Sequence, residues 1–182
     1  MPHDPGGKSL FPLPPHVRGS ADFDGPNDEY RYRLERVWDQ TRPACMFVLM
    51  NPSTATPEVD DPTVRNCRLY AERWGFGRLL IGNTFAYRLT DSKLLHKVEK
   101  PIGPWNDLYL LNMASDAELI VFAYGKPHRS LQDRGRKVAQ MFRDRGHDHK
   151  MHVLALCADG TPSHPLYKRA DLQPIPWKEF AR

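Results

Sequence analysis

Two asparagines and a histidine follow apolar segments of the chain, where ligand-binding side chains are often found. Asn51 comes directly after the apolar run Met46–Met50. The next residue, Pro52, cannot donate to a sheet ladder, so the predicted strand ends there. Asn83 follows a second apolar run, and His164 comes a few residues after a third. Because open α/β sheets bind ligands at the carboxyl ends of their strands, the sequence predicts a polar pocket of two amides and an imidazole.

These residue types allow a definite chemistry. An asparagine amide presents a donor and an acceptor side by side, which suits the edge of a nucleobase or the orientation of a water molecule. Histidine can exchange a proton near neutral pH. A simpler interpretation stays open for each motif: the amide of Asn51 caps a loop, and His164 lies on a surface turn stiffened by Pro165.

Adjacent carboxylates at Asp60 and Asp61 provide a candidate general base. Asp61 stands before Pro62 and Thr63, a pattern typical of a helix N-cap followed by proline at the first helical position. Helix capping therefore accounts for Asp61. Asp60 remains the candidate catalytic carboxylate.

The segment Asn83–Arg88 combines an amide, two aromatic rings and a guanidinium. Phe85 or Tyr87 could stack on a base, and Arg88 could contact a phosphate. The alternative is that both rings belong to the core while Arg88 pairs with Asp91 at the surface.

Other motifs exclude several functions. Gly125–His128 closes a third apolar run, but neither a P-loop nor a dinucleotide-binding glycine pattern occurs in the sequence. The histidines at 147, 149 and 152 lack Cys or carboxylate partners at a recognised metal spacing, so we expect a solvated loop there and no metal. We expect no cofactor.

Composition indicates one globular domain. Hydrophobic residues make up 40% of the chain and charged residues 26%. There is no apolar stretch long enough to span a membrane and no signal peptide at the N-terminus, and the three cysteines read as free thiols. These features predict a cytoplasmic monomer without membrane contact. The net charge of +4 and pI of about 9.0 hint at an anionic partner such as nucleic acid, although a basic enzyme with small anionic ligands fits equally well.

Hydrophobic periodicity predicts an α/β domain over residues 29–182, after an irregular N-terminal arm at 1–28. The alternation of aromatic or apolar residues with charged residues over 30–38 predicts a half-buried antiparallel edge strand. The remaining predicted strands are 45–50, 78–83, 119–124 and 151–157. The predicted helices begin at 61, 106 and 134. Alternating strands and helices predict a three-layer α/β/α fold with a four-stranded, mainly parallel central sheet.

The order of these motifs resembles that of the uracil-DNA glycosylase superfamily. In that family the first strand ends in Asp-Pro or Asn-Pro, as at Asn51-Pro52, and the second in Asn, as at Asn83. The third ends in a pair such as Gly-Lys, matched by Gly125-Lys126, and the fourth leads to a His-Pro motif, matched by His164-Pro165.

The chain from about residue 30 to residue 177 is also similar to the domain of unknown function 1643 family of bacteria and phages. That family's pattern is Asn-Pro-Ser-Thr-Ala followed by Asp-Asp-Pro-Thr, matched here at 51–55 and 60–63.

The glycosylase resemblance implies a DNA-repair hydrolase that flips a nucleotide into a pocket and excises an abnormal or modified base. His164 would donate to the base oxygen, Asn83 would bind the base edge, and Asn51 would orient the attacking water, with base catalysis from elsewhere, such as Asp60. Phe85 or Tyr87 would stack on the base. The residues that would contact DNA phosphates are Ser53, Thr54, Arg88, Lys126 and Lys168. The partner would be DNA; the alternatives are a non-catalytic nucleic-acid binding module and an enzyme acting on free modified nucleotides.

Two departures from the glycosylase pattern bear on the substrate. The first motif has Asn51 where many members have Asp. The fourth has Leu166 and Tyr167 where the family has Ser and Pro. The altered loop favours a base other than uracil, such as a larger modified base.

Overall fold

The structure, a computed structural model, describes residues 9–178 of the chain. Its strands are β1 (Phe11–Pro12), β2 (Arg18–Asp24), β3 (Tyr30–Val37), β4 (Ala44–Leu49), β5 (Val59–Asp60), β6 (Arg78–Asn83), β7 (Leu119–Phe122), β8 (Met151–Val153) and β9 (Ile175–Pro176). Its α-helices are α1 (Pro62–Arg73), α2 (Asn106–Asp116) and α3 (Asp133–Asp144). The strands β1 and β5 pair with each other, and the remaining strands form one seven-stranded sheet.

The large sheet has the order β2-β3-β6-β4-β7-β8-β9. Neighbouring strands from β6 to β8 in this order pair in parallel, whereas β2, β3 and β9 add antiparallel pairs at the two sides. Parallel neighbours need crossover connections, and α1, α2 and α3 lie in the three crossovers. The predicted mixed α/β class is confirmed. The sheet is larger than predicted, because antiparallel strands extend it beyond four.

Two apolar cores form, one on each face of the sheet. Side chains alternate along β4, so that Cys45 and Phe47 pack with α1 while Met46 and Val48 pack with α2 and α3. The whole of β4 is buried, as expected for a strand covered by helices on both faces. This burial fixes the position of Asn51, two residues beyond the strand.

Helix α1 begins as the sequence predicts. The Oδ1 atom of Asp61 accepts a hydrogen bond from the backbone N–H of Val64 at 2.9 Å, and Pro62 occupies the first turn. The cap satisfies one of the N–H groups that a helix start leaves unpaired. Helix α2 spans Asn106–Asp116, also as predicted.

The structure corrects two predictions near the N-terminus. Residues 18–24 belong to the predicted irregular arm, but they form β2, whose exposed and half-buried residues alternate. Because β2 pairs with β3, the strand predicted at 30–38 is not an edge strand. Residues 1–8 of the predicted arm and residues 179–182 of the predicted domain lie outside the described residues.

Candidate functional site

A cavity of about 300 Å³ lies at the carboxyl ends of β4 and β6. In the parallel ladder Leu49 pairs with Asn83, so Asn51 and Asn83 come to the same sheet edge. His164, on the loop after β8, lines the same cavity. The structure therefore brings together three residues that are far apart in sequence. The volume is at the lower end of the range for small-molecule sites, about 300–1,000 Å³.

Asn83 is the most unusual polar residue of the cavity. It is 1% exposed, and neither its Nδ2 nor its Oδ1 atom has a hydrogen-bond partner among the described residues. A buried amide without partners is unfavourable by about 1–3 kcal/mol for each unmade bond. Asn83 therefore holds an unused donor and an unused acceptor in the wall of the cavity.

Asn51 is held in one orientation. Its Nδ2 atom donates to the carbonyl oxygens of Leu89 at 2.7 Å and Pro52 at 3.1 Å. The opposite amide orientation would place Oδ1 against two carbonyl oxygens, so these contacts assign the two ends of the amide. With both N–H groups engaged, Asn51 can contribute only an acceptor, Oδ1, to a ligand or a water molecule.

His164 is held in one tautomer when its ring is neutral. Its Nδ1 atom accepts a hydrogen bond from the backbone N–H of Leu166 at 3.2 Å, so the ring proton lies on Nε2. Gly125 lies against His164, since a Cβ atom there would come within 3.3 Å of the His164 Cβ. The neutral imidazole is therefore an N–H donor at Nε2.

The two carboxylates of the Asp60–Asp61 pair have different environments. Asp61 lines the cavity and is 5% exposed. Asp60 does not line it: its carboxylate accepts from Arg36 Nε at 2.8 Å and Arg68 Nε at 3.0 Å and is buried. The structure therefore places Asp60, the predicted catalytic residue, in a structural ion-pair network. It places Asp61, explained from sequence by capping alone, at the candidate site.

Sequence reasoning missed Arg31, which also lines the cavity. Arg31 is 2% exposed on β3, and its Nη1 atom donates to the Ala55 carbonyl at 2.8 Å. The alternating pattern of this segment suggested that its charged residues face solvent. The sequence carries no signal for this burial, because Arg31 alternates with Tyr30 and Tyr32, yet in the structure Arg31 and Tyr32 are both buried.

The predicted stacking residues do not line the cavity. Phe85 is 2% exposed and belongs to the core. Tyr87 packs edge-on against Tyr30, with ring centroids 5.7 Å apart. Both rings follow the alternative interpretation, in which they stabilise the fold. Arg88 likewise has structural contacts: its Nη1 atom donates to the Asp28 carbonyl at 2.9 Å.

The remaining predicted phosphate-binding residues are dispersed. Ser53 lines the cavity with a buried Oγ that has no partner among the described residues, whereas Thr54 is buried beside it without lining the cavity. Lys126 lines a second cavity, of about 240 Å³, and pairs with Asp159 at 2.7 Å. Lys168 is exposed and lines neither cavity.

The second cavity adjoins the first, since Met50 and Ser92 line both. Lys93, Lys126 and His128 give it a basic character. The two cavities are therefore neighbours, and cationic side chains line the one beside the small polar pocket.

Tyr167 stands at the rim of the first cavity. Its side chain is 99% exposed, and its backbone has a φ of 60°, in the left-handed region that non-glycine residues seldom adopt. The ring of Tyr167 therefore takes no part in the packing of the core and lies open to solvent beside the cavity.

Residues 9–178 contain no group of three or more His, Cys, Asp or Glu side chains that could hold a metal ion. Within the same residues, no helix is long and apolar enough to cross a membrane.

The fold and cavity define an α/β protein with a ligand-sized polar site at the carboxyl edge of its parallel strands. The chain belongs to the family described as "Protein of unknown function (DUF1643)", whose model matches residues 31–166. This confirms the family predicted from the sequence, and the matched range includes Asn51, Asn83 and His164. Searches of curated proteins and of solved structures each found no match.

Proposed function

We propose that the protein hydrolyses the N-glycosidic bond between an abnormal or modified base and the sugar of DNA. The observation that carries the proposal is the unpartnered amide of Asn83, buried in the wall of a cavity at the lower end of ligand-site volumes. An amide there can pair with the acceptor and donor on the edge of a heterocycle. The small volume favours one base over a longer segment.

The other side chains of the cavity supply the remaining parts of a hydrolysis. The oxygen of a water molecule bonds to C1′ of the sugar, and the C1′–N bond breaks with its electron pair leaving on the base. Asn51 Oδ1 accepts a hydrogen bond from that water. Asp61, the carboxylate that lines the described cavity, takes the proton that the water loses. The Nε2–H of neutral His164 donates to the base as negative charge develops on it.

Two features support DNA as the polymer that delivers the base. Tyr167 projects into solvent at the rim, where it can stack on an unpaired base or fill its place in the helix. The adjoining basic cavity, with Lys93 and Lys126, suits the phosphate backbone.

The test is incubation with single- and double-stranded oligonucleotides that carry uracil, 5-hydroxymethyluracil or other modified bases, followed by alkali to break abasic sites. Strand breaks that disappear in Asn51→Ala and His164→Ala support the proposal. Base release from free nucleosides alone would indicate an enzyme of nucleotide metabolism. Salt-sensitive DNA binding without base release would indicate a binding module.

A further inference from the structure

We propose that Arg31 makes the first cavity selective for a negatively charged heterocycle. Its guanidinium binds the base in the anionic form in which it leaves the sugar. This inference rests on the proposed function for its biological meaning. The binding preference that it predicts can be measured without any hydrolysis.

The hydrogen bonds of Arg31 leave most of its capacity unused. A guanidinium has five N–H donors. One nitrogen, Nη1, donates to the Ala55 carbonyl, while Nε is buried and has no partner among the described residues. A hydrogen bond to one carbonyl uses a single N–H group. This bond therefore does not explain why the cavity is lined by a charged guanidinium with five donors.

The charges around Arg31 do not balance it. No carboxylate of the described residues forms an ion pair with it. The negative charge of Asp61 stabilises the charged form of Arg31, whereas the positive charges of Arg88 and Arg36 destabilise that form. Asp60 neutralises part of the charge of Arg36 but is shared with Arg68.

Arg31 keeps its charge despite this environment. Burial is the main cause that lowers the pKa of Arg31, to about 10, which still leaves the group protonated at neutral pH. A buried cation without a contacting anion is unfavourable, because its lost hydration is not replaced. An anion in the cavity would supply the missing partner.

The chemistry of base release produces such an anion. When the C1′–N bond breaks, its electron pair remains on the base. Neutral His164 offers a dipole to this charge, whereas Arg31 offers a full positive charge in a water-poor site, where electrostatic attraction is stronger than in bulk solvent. The two residues therefore contribute in different ways.

The experiment uses 5-nitrouracil as a free ligand, because its ring ionises more readily than that of uracil. Binding is titrated by calorimetry at several pH values below and above the ring pKa of the probe, with uracil as the neutral control. The wild-type protein is expected to bind the ionised probe roughly tenfold more tightly than the neutral form, equivalent to lowering the ring pKa of the bound probe by about one unit.

Two matched variants assign the preference to the charge. Arg31→Gln keeps a side-chain N–H donor and loses the charge, so it should lose most of the preference for the ionised form, with His164 retaining the remainder. Arg31→Lys keeps a charge and should retain part of the preference. Thermal unfolding of each variant checks that the fold is intact.

An equal affinity of the wild-type protein for both forms overturns the proposal, as does an undiminished preference in folded Arg31→Gln. If neither variant folds, an equal affinity of the wild-type protein for the two forms still overturns the proposal. Failure of strand breakage with a preserved anion preference would refute the proposed function and leave this inference standing. Strand breakage without an anion preference would support the proposed function and refute this inference.

Discussion

The backbone N–H of Leu166 donates to the Nδ1 atom of His164 at 3.2 Å, two residues earlier on the same loop. This bond from the backbone assigns the tautomer of the neutral imidazole, with its proton on Nε2. The backbone of this loop therefore orients the Nε2–H donor of His164, and the peptide group between Pro165 and Leu166 is part of the site.

The tautomer gives the first prediction. We expect ¹⁵N spectra of the protein at neutral to mildly alkaline pH to show His164 Nδ1 unprotonated and Nε2 protonated. His164→Ala should lower the rate of base release by about 10²–10³-fold, the usual effect of losing one donor to a developing anion. His149→Ala, an exposed histidine elsewhere, is the matched control and should keep the wild-type rate. An Nδ1–H signal would contradict the assignment.

Asn83 gives the second prediction, in which function and stability change in opposite directions. Asn83→Leu should raise the free energy of unfolding by about 1–2 kcal/mol, because it removes buried polar atoms that have no partners. The same variant should lose the binding of free bases. Chemical denaturation and calorimetry measure the two effects.

Asn106 provides the control for Asn83. It is 0% exposed, and its Nδ2 atom donates to the carbonyl oxygens of Asn83 at 2.9 Å and Thr84 at 3.3 Å. Asn106→Leu should therefore lower the free energy of unfolding by about 1–3 kcal/mol, since two buried carbonyls lose a donor. Equal effects of the two substitutions on stability would show that the amide of Asn83 is already satisfied in the free protein.

The third prediction separates the two roles of Asp61. Asn and Ser are good helix N-caps, so the capping contribution to the free energy of unfolding should change by less than about 1 kcal/mol in Asp61→Asn and Asp61→Ser. Both should abolish base release, because neither can take a proton from water. Asp61→Ala should lose stability as well, by about 1 kcal/mol. Wild-type turnover in Asp61→Asn would exclude the carboxylate from the chemistry.

The fourth prediction concerns Asp60. Asp60→Ala should lower the free energy of unfolding by about 3–5 kcal/mol, because Arg36 and Arg68 lose the buried carboxylate between them. Thermal unfolding measures the loss. Any activity that remains should scale with the folded fraction. A fully folded but inactive variant would restore the catalytic role expected from the sequence.

The fifth prediction concerns the basic cavity. The ion pair with Asp159 raises the pKa of Lys126 and competes with any phosphate that this lysine binds. Asp159→Asn should therefore strengthen DNA binding and steepen its salt dependence by about 0.9 in log K against log salt. Asp171→Asn breaks the exposed pair with Arg169 and should leave both quantities unchanged. Fluorescence anisotropy at several salt concentrations measures the DNA affinity of both variants and its salt dependence.

The sequence was most informative where local chemistry determines structure. Asp61 and Pro62 defined the start of α1 by capping geometry, and apolar runs located the central strands. The same runs ending at Asn51 and Asn83 identified the sheet edge that holds the cavity. In each case a residue's immediate neighbours were sufficient to indicate its environment.

Other features depended on tertiary contacts that the sequence does not display. Adjacent residues in an extended segment point in different directions, so Asp60 and Asp61 could not be ranked without the backbone. The burial of Arg31 and Arg36 depends on the loop at 54–59, whose carbonyl groups accept their hydrogen bonds. Strand β2 escaped detection because its segment is polar and follows a proline-rich stretch.

Strand ends form one wall of the cavity, and the loop that carries His164 forms another. On the amide side, the backbone beyond β4 and β6 is cross-linked where Thr84 and Phe85 donate to Leu49 at 2.8 Å and Met50 at 2.9 Å. On the imidazole side, the loop is tied by the bond from Ser163 to Ala155 at 2.9 Å and that from Gly125 to Pro162 at 3.0 Å. Because loops generally open at a lower free energy than paired strands, we expect opening of the loop that carries His164 to set the residence time of a bound ligand.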